Sequence, residues 1–324
     1  MLINFLKMTK RKIIFIVFII LLVLINIELP YTINTPGGVI DINDRVNVKN
    51  AGNIGSLNMT YVRSIKATPL TLSIAVINPY WDIIKKEEYK TNNDAEISDL
   101  INLNASESNA LITAFKYSNK KLEVKKQKTF VVYILENAQT DLKIGDEIEA
   151  IDNKKIYKKE EIKNYIQNKQ NGDIVYLDVI NNGIKYKRYA KIFKMNNELL
   201  IGLIFSNVYD LKTNPEVLIK FKDNEKGPSG GLMLALAIYS KIMNTNLTNN
   251  LKIAGTGTID EDGNVGEIGG IKYKLKGAVD NKMDIFLCPV NNYEEAIKEK
   301  EKHNYKIKIY KVSTFKDAIN YIKN

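Results

Sequence analysis

Histidine and cysteine are almost missing from this chain. Among 324 residues there is one of each, His303 and Cys288. A lone cysteine excludes an intramolecular disulfide, and no Cys/His cluster exists to hold zinc. One histidine also rules out the two-histidine HExxH metalloprotease pattern. Any Ser-His-Asp or Cys-His mechanism would have to recruit His303. That residue lies in "KEKEKHNYK", a charged helix end, and reads as surface. No G-x-x-x-x-G-K-(S/T) loop occurs, so no nucleotide site is expected. The formal net charge of +10 does not point to nucleic acid. The lysines alternate with acids, as in "KKEEIK", in the manner of solvated helix faces, and no DNA-binding motif accompanies them.

Apolar residues are plentiful, and their longest run comes first. Residues 13–29 read "IIFIVFIILLVLINIEL", preceded by Lys7, Lys10, Arg11 and Lys12. As a helix this run would span roughly 25 Å, close to the ~30 Å of a hydrocarbon core. The basic flank predicts a cytoplasmic tail (1–12) and a transmembrane anchor (13–29), with everything after Pro30 outside. A cleaved signal peptide is the competing reading, but no A-x-A-like site follows the run.

Beyond the anchor, "TPGGVIDI", "SLNMTYVRSI" and "TLSIAVIN" read as strands. Residues 94–118 show helical spacing and are expected to form two helices, broken near Asn104 and capped by Ser106 or Ser108. The next segment alternates strand, loop, strand, helix, strand, strand. Its "GDEIEAIDN", with Gly145, Asp146, Ile148, Ile151, Asp152 and Asn153, resembles a PDZ domain. The resemblance implies a helix with Ile162, Tyr165 and Ile166 inward. It also implies a peptide added as a strand along Phe130, Val131, Val132, Tyr133 and Ile134. No glycine precedes "FVVYI", which puts recognition of a free C-terminus in doubt. A small packing domain without ligand is the alternative.

The stretch "KDNEKGPSGGLMLALAIYS", residues 222–240, poses the functional question. Ser229 stands among Gly227, Pro228, Gly230 and Gly231, before a helix apolar almost all round and therefore buried. It is either a helix N-cap or a nucleophile facing the positive end of the helix dipole. A nucleophilic serine needs a base, and with histidine nearly absent that base would be a lysine. Such a lysine must be desolvated so as to be neutral. Most lysines here sit in charged strings. Lys272 differs, because it follows "VGEIGGI" and opens a helix, where the dipole also disfavours its charge. On these residues alone both readings of Ser229 stay open.

"GPSGG" before an apolar helix, followed by "GTGTIDEDGNVGEIGGIKYKLKGA", resembles the proteolytic domain of the Lon protease family. Gly263, Val265, Ile268, Gly269 and Gly270 carry the second motif. The resemblance implies that Ser229 attacks and that Lys272, 43 positions later, is its base. It places Gly227, Pro228 and Gly230 around the oxyanion. Two departures stand out. Lys226 occupies a position that is often acidic, so an accessory carboxylate is lost or moves to Glu225. Ala254 occupies a position that is often threonine, with Thr256 as a substitute. "DEDGN" imitates a calcium loop but has Val265 where the loop glycine belongs, so it reads as a turn.

The whole layout is similar to the membrane-anchored, PDZ-containing Lon-like serine proteases of Gram-positive bacteria. It implies an α/β (α+β) Lon-type proteolytic domain with a PDZ domain and one N-terminal transmembrane helix. Residues 30–121 would form the first part of the protease domain, 122–195 the PDZ domain and 196–324 the Lon-like part. The expected activity is an ATP-independent serine endopeptidase acting outside the cell membrane on peptides or unfolded segments. No cofactor, metal, nucleotide or nucleic acid is expected, and a homo-oligomer is allowed. An inactive peptide-binding scaffold or a holdase is the alternative.

Overall fold

The computed structural model describes residues 10–52, 55–85 and 92–323. Lys7 and most of the basic N-terminal tail lie outside the described residues. The first helix, α1, runs Lys10–Asn26, with no residue buried. It covers 17 residues, three of them basic, and stops before Ile27. Among the described residues, no helix is long and apolar enough to cross a membrane.

The chain then forms β1 (Tyr31–Asp41), β2 (Val46–Val48), β3 (Ser56–Lys66), α2 (Pro69–Ile77) and β4 (Asp82–Lys85). "TLSIAVIN" is thus helical and not the expected strand. Thr68 and Thr71 close a capping box across its first turn, and Pro69 takes the first position, where a missing N–H costs nothing. A single helix, α3 (Asn92–Ser118), replaces the two expected ones. The serines placed at the supposed break do not cap anything. Ser108 Oγ donates back to Ala105 O at 3.0 Å, and Ser106 Oγ donates to Pro228 O at 3.1 Å.

Next come β5 (Lys121–Ile134), β6 (Glu147–Ile151), β7 (Lys154–Lys155), α4 (Lys159–Ile166), β8 (Ile174–Asn181) and β9 (Ile184–Lys191). They are followed by β10 (Phe193–Met195), β11 (Glu198–Leu200), β12 (Leu203–Asn214) and β13 (Val217–Ile219). One sheet has the order β12-β5-β6-β8-β9, with β7 beside β6. Its own core includes Val131, Ile148, Ile151, Ile162, Ile166 and Leu177. β12 pairs antiparallel with β5 from Leu203↔Ile134 to Asn214↔Lys121. This sheet therefore runs to Asn214 and not to the expected 195. Gly202 makes the turn into β12 with φ +73°, a left-handed backbone suited to glycine.

The last segment supplies α5 (Gly231–Ile242), β14 (Lys252–Gly255), β15 (Thr258–Ile259), β16 (Val265–Gly266) and α6 (Ile271–Asp280). β17 (Ile285–Pro289), α7 (Tyr293–Lys302), β18 (Lys308–Val312) and α8 (Phe315–Lys323) complete it. The main sheet has the order β18-β17-β14-β3-β1-β4. Two distant sequence pieces thus share one sheet, joined where β14 pairs in parallel with β3. α5 lies in the core beside it, buried from Gly231 through Ile238.

The "TPGG" stretch, an irregularity inside β1, has a structural purpose. A Cβ on Gly37 would fall 2.4 Å from Tyr61 O, so β1 can pass β3 only as glycine there. Opposite, Gly277 of α6 lies against the Gly38 backbone, where a Cβ would sit 3.0 Å from its N and 3.2 Å from its O. This close approach seats α6 on β1. Gly277→Ala should destabilise the fold by about 1–3 kcal/mol, even though alanine favours helix. A lowered denaturation midpoint at unchanged slope is the expected result, and an unchanged or raised midpoint would refute the seating argument.

Candidate functional site

α5 begins at Gly231 with Gly230 as its N-cap, and no side chain caps it. Ser229 stands one residue earlier, so the N-cap reading of its hydroxyl fails. The loop is held by its carbonyls instead. Ser229 O accepts from Gly257 N at 2.8 Å and from Thr256 Oγ1 at 3.0 Å. Pro228 O accepts from Gly231 N and from Ser106 Oγ. Among the described residues, the Ser229 hydroxyl makes no hydrogen bond, and neither do the backbone N–H groups of Ser229 and Gly230. A buried helix start with free donors is suited to an anion.

The glycines divide their work. Gly227 has φ +83°, which the turn requires. A Cβ on Gly230 would touch Met59 Sδ at 3.0 Å, so this position is snug. Gly231 does not open an approach path to Ser229. It is buried, and its Cβ would meet Ser106 Oγ at 2.7 Å and Ile259.

Ser229, Gly230, Gly269 and Lys274 line one cavity of about 730 Å³, together with Met59, Leu103 and Phe221. Lys272, the expected base, is not in it. Its Nζ pairs with the Asp82 carboxylate at the rim, where its side chain is 32% exposed. Tyr273 Oη donates to the same carboxylate. Helix geometry explains the difference. Residues two apart lie about 200° apart around the axis, so Lys272 and Lys274 cannot share a face. Lys274 belongs to the buried stripe Ile271, Lys274, Leu275 and Ala278, spaced i, i+3, i+4, i+7. That stripe is readable in the sequence and is the signal that places Lys274, and not Lys272, on the inward face.

Lys274 is 3% exposed, and burial pushes its ammonium down to about 8. Its Nζ lies 3.1 Å from Thr256 Oγ1. Thr256 spends its one proton on Ser229 O, so its hydroxyl accepts from the lysine. A neutral amine bonded this way keeps its lone pair free for another proton. Thr256 therefore stands beside the amine, whereas Ala254 is buried inside β14.

Glu225 is not a free carboxylate. Arg45 Nε and Nη2 grip it at 2.8 and 2.6 Å, and both side chains are about nine-tenths buried. Burial alone would raise this carboxyl. The Arg45 fork and the Lys222 amide hold it below its ordinary value instead. Its role is to fix the loop before Gly227. Lys226 pairs with Glu96 at the surface. His303 sits between Tyr80, Tyr305 and Glu299, outside the Ser229 cavity.

The expected peptide strand is also corrected. Around Phe130 and Val131 both sides of this strand are already paired. β12 pairs along one side, from Ile134↔Leu203 to Phe130↔Ser206. On the other side, Val131 N donates to Asp146 O and Val131 O accepts from Gly145 N. Val132 O is taken by Ser98 Oγ at 2.8 Å. One edge strand of this sheet is β12, whose Asn207 Oδ1 accepts from Lys159 N at the start of α4. Further along, Tyr209 Oη donates to Glu261, in the turn between β15 and β16.

Burial of Lys274 has a measurable cost. Its native value is depressed, so between about 8 and the ordinary lysine value the unfolded chain binds a proton that the native one does not. Stability from this group is present at high pH and lost as pH falls through about 8. Lys274→Met should therefore raise stability at pH 7 by about 1–3 kcal/mol, a gain that shrinks toward pH 10.5. Parallel stability–pH curves for the two proteins would refute the assignment.

Residues 221–323 match the family model of the Lon protease (S16) C-terminal proteolytic domain. Lon protease 2 of Borreliella burgdorferi is 29% identical over 117 residues, covering 35% of this chain and 14% of that protein. The chain thus spans about a seventh of the length of this curated relative. Among solved structures, GtR34C from Geobacillus thermodenitrificans is 28% identical. It covers 23% of this chain and 92% of its own, with a TM-score of 0.22. The PDZ domain of the SdrC-like protein from Listeria monocytogenes is 20% identical. It covers 26% and 92% respectively, with a TM-score of 0.23. The segment that contains Ser229, Thr256 and Lys274 matches a Lon-type proteolytic domain, which supports a serine protease.

Proposed function

We propose that this protein is an ATP-independent serine endopeptidase in which Ser229 is the nucleophile and Lys274 its general base. The observation that carries the reading is a buried lysine, bonded among the described residues to Thr256 alone, that lines the same cavity as a serine whose hydroxyl is unengaged by any of them. The neutral Lys274 amine takes the Ser229 proton as Oγ attacks the peptide carbonyl. The N–H groups of Ser229 and Gly230 receive the oxyanion, a role worth several kcal/mol at such sites. The Lys274 ammonium then protonates the leaving amine, and water, deprotonated by the same lysine, hydrolyses the acyl-enzyme. Thr256 holds the amine while it changes charge.

Substrates in this reading are peptides or unfolded segments, because these 324 residues include no nucleotide-driven unfolding motif. The β12 edge facing α4 is the place for a guiding peptide strand. The protein acts at a membrane surface on its outer side, held there by α1, whose apolar residues lie exposed on every side.

The test is cleavage of an unfolded protein by the full chain, with products identified by mass spectrometry. Ser229→Ala and Lys274→Ala should each lose at least about a thousandfold in kcat/KM. Lys272→Ala should stay within about tenfold, since a rim lysine can act only through position. Because the base must be neutral, kcat/KM should rise tenfold per pH unit below about 8 and level off above it. Loss of activity in Lys272→Ala with retention in Lys274→Ala would overturn the assignment. Binding without cleavage by the unaltered chain would favour the scaffold reading.

A further inference from the structure

We propose that α2 and β4 form a second lipid-contacting surface, which seats the folded body against the bilayer beside α1. The inference extends the membrane placement above but rests on different residues.

α2 reads "PLTLSIAVI", with no charged residue, yet only Ala75 is buried. Ile74, Val76 and Ile77 are 38, 73 and 81% exposed. Leu72 packs inward against Ile33, Ala67 and Ala75, so the helix has a seated side and a bare one. On the neighbouring β4, Ile83 and Ile84 are 39 and 44% exposed. These two are successive strand residues and point to opposite sides. Both are exposed because β4 is a short strand at the edge of the main sheet. Ile74, Val76, Ile77 and one of the two β4 isoleucines in one locality exceed the scattered exposure usual for a soluble surface.

The location identifies the occupant. The chain leaving α1 bonds to the residue just before the α2 cap: Leu29 N donates to Ala67 O at 2.8 Å, and Ala67 N donates to Tyr31 O at 3.2 Å. The bare side of α2 is therefore continuous with the C-terminal end of α1. From Ile13 to Ile25, α1 exposes large apolar side chains around its whole circumference. A protein partner covers one stripe of such a helix and leaves the rest wet, whereas lipid covers all sides. Trp81 and Tyr31 pack at the same junction, the residue types favoured at a headgroup boundary. A phospholipid surface fits the whole set, and a second copy of the chain fits only part of it.

The surface is also connected to the candidate site. Between Trp81 and Ile83 stands Asp82, whose carboxylate holds Lys272 and Tyr273 in the first turn of α6. The strand that meets lipid thus grips the helix that carries Lys274.

Trp81 is the only tryptophan in the sequence, and it reports on this junction directly. The full chain would be reconstituted into phosphatidylcholine vesicles with brominated acyl chains, and its emission compared with that in unbrominated vesicles. Quenching of Trp81 is the expected result. The Val76→Asp/Ile77→Asp variant alters two exposed positions that the core does not use. It should still float with the vesicles through α1 but lose most of the quenching. Floated protein with unquenched Trp81 would overturn the lipid-contacting surface while leaving the membrane placement intact, as would quenching unchanged in the variant. Unquenched Trp81 with cross-linking between copies through this patch would assign it to self-association. Failure of the unaltered chain to float would overturn both.

Discussion

The hydrogen bond from Lys274 to Thr256 is the interaction on which the arrangement depends, because it exists only if a lysine is placed in a hydrophobic core. A buried ammonium is costly, and burial lowers the tendency of Lys274 to hold its proton, down to about 8. The fold tolerates this because α6 is seated by glycine against glycine on β1, leaving little room for the helix to turn its lysine outward. Thr256 then joins the amine to the serine loop, since its hydroxyl accepts from one and donates to the other. Three elements distant in sequence are brought to one polar atom. The stability lost at Lys274 is the counterpart of an amine that sheds its proton near pH 8, a trade-off common at functional sites.

Helix α3 explains how that atom stays in place. Its polar residues are used as donors to backbone carbonyls in other parts of the chain. Ser98 reaches Val132 in the second sheet, and Ser106 reaches Pro228 in the serine loop. Asn109 and Thr113 reach Ile259 and Asp260 in the β15–β16 hairpin. These positions recur at spacings of eight, three and four, so they form one stripe along a straight helix. Each bond is modest, about 1 kcal/mol net, but leaving the buried carbonyls unpaired would cost more than that. The stripe fixes the serine loop and the hairpin relative to one another, and with them Ser229 and Thr256.

Parts of this were legible in the sequence, and the misses have identifiable causes. The serine loop, the buried helix after it and the hairpin turn are local patterns, and local patterns read well. The sequence reading chose Lys272, whereas Lys274 lines the cavity, because the dipole argument favours the residue nearest the helix start and ignores which face is inward. The stripe of Ile271, Leu275 and Ala278 selects Lys274 without any structure. α2 looks like a strand from its branched residues until Thr68, Pro69 and Thr71 are read as a capped helix start. The partner of β12 could not be read at all. It pairs with β5 across some 70 residues, and strand alternation carries no address for so distant a neighbour.

That pairing changes what the second sheet can do. With β12 on one side and the Glu147, Asp146 and Gly145 backbone on the other, Thr129–Val131 is interior to a sheet, and an interior stretch accepts no further strand. The only edge beside α4 belongs to β12, and it is partly occupied. Asn207 is held by Lys159 and Thr129, and Tyr209 is held by Glu261, which also lies 3.8 Å from Lys158. The free part is therefore the stretch near Leu203–Ser206, while its continuation is bound to the hairpin whose first residues follow Thr256 and Gly257. The same hairpin is covalently continuous with Thr256 and Gly257, the two groups that hold the Ser229 carbonyl, so the β12 edge and the serine loop are joined through a handful of named bonds.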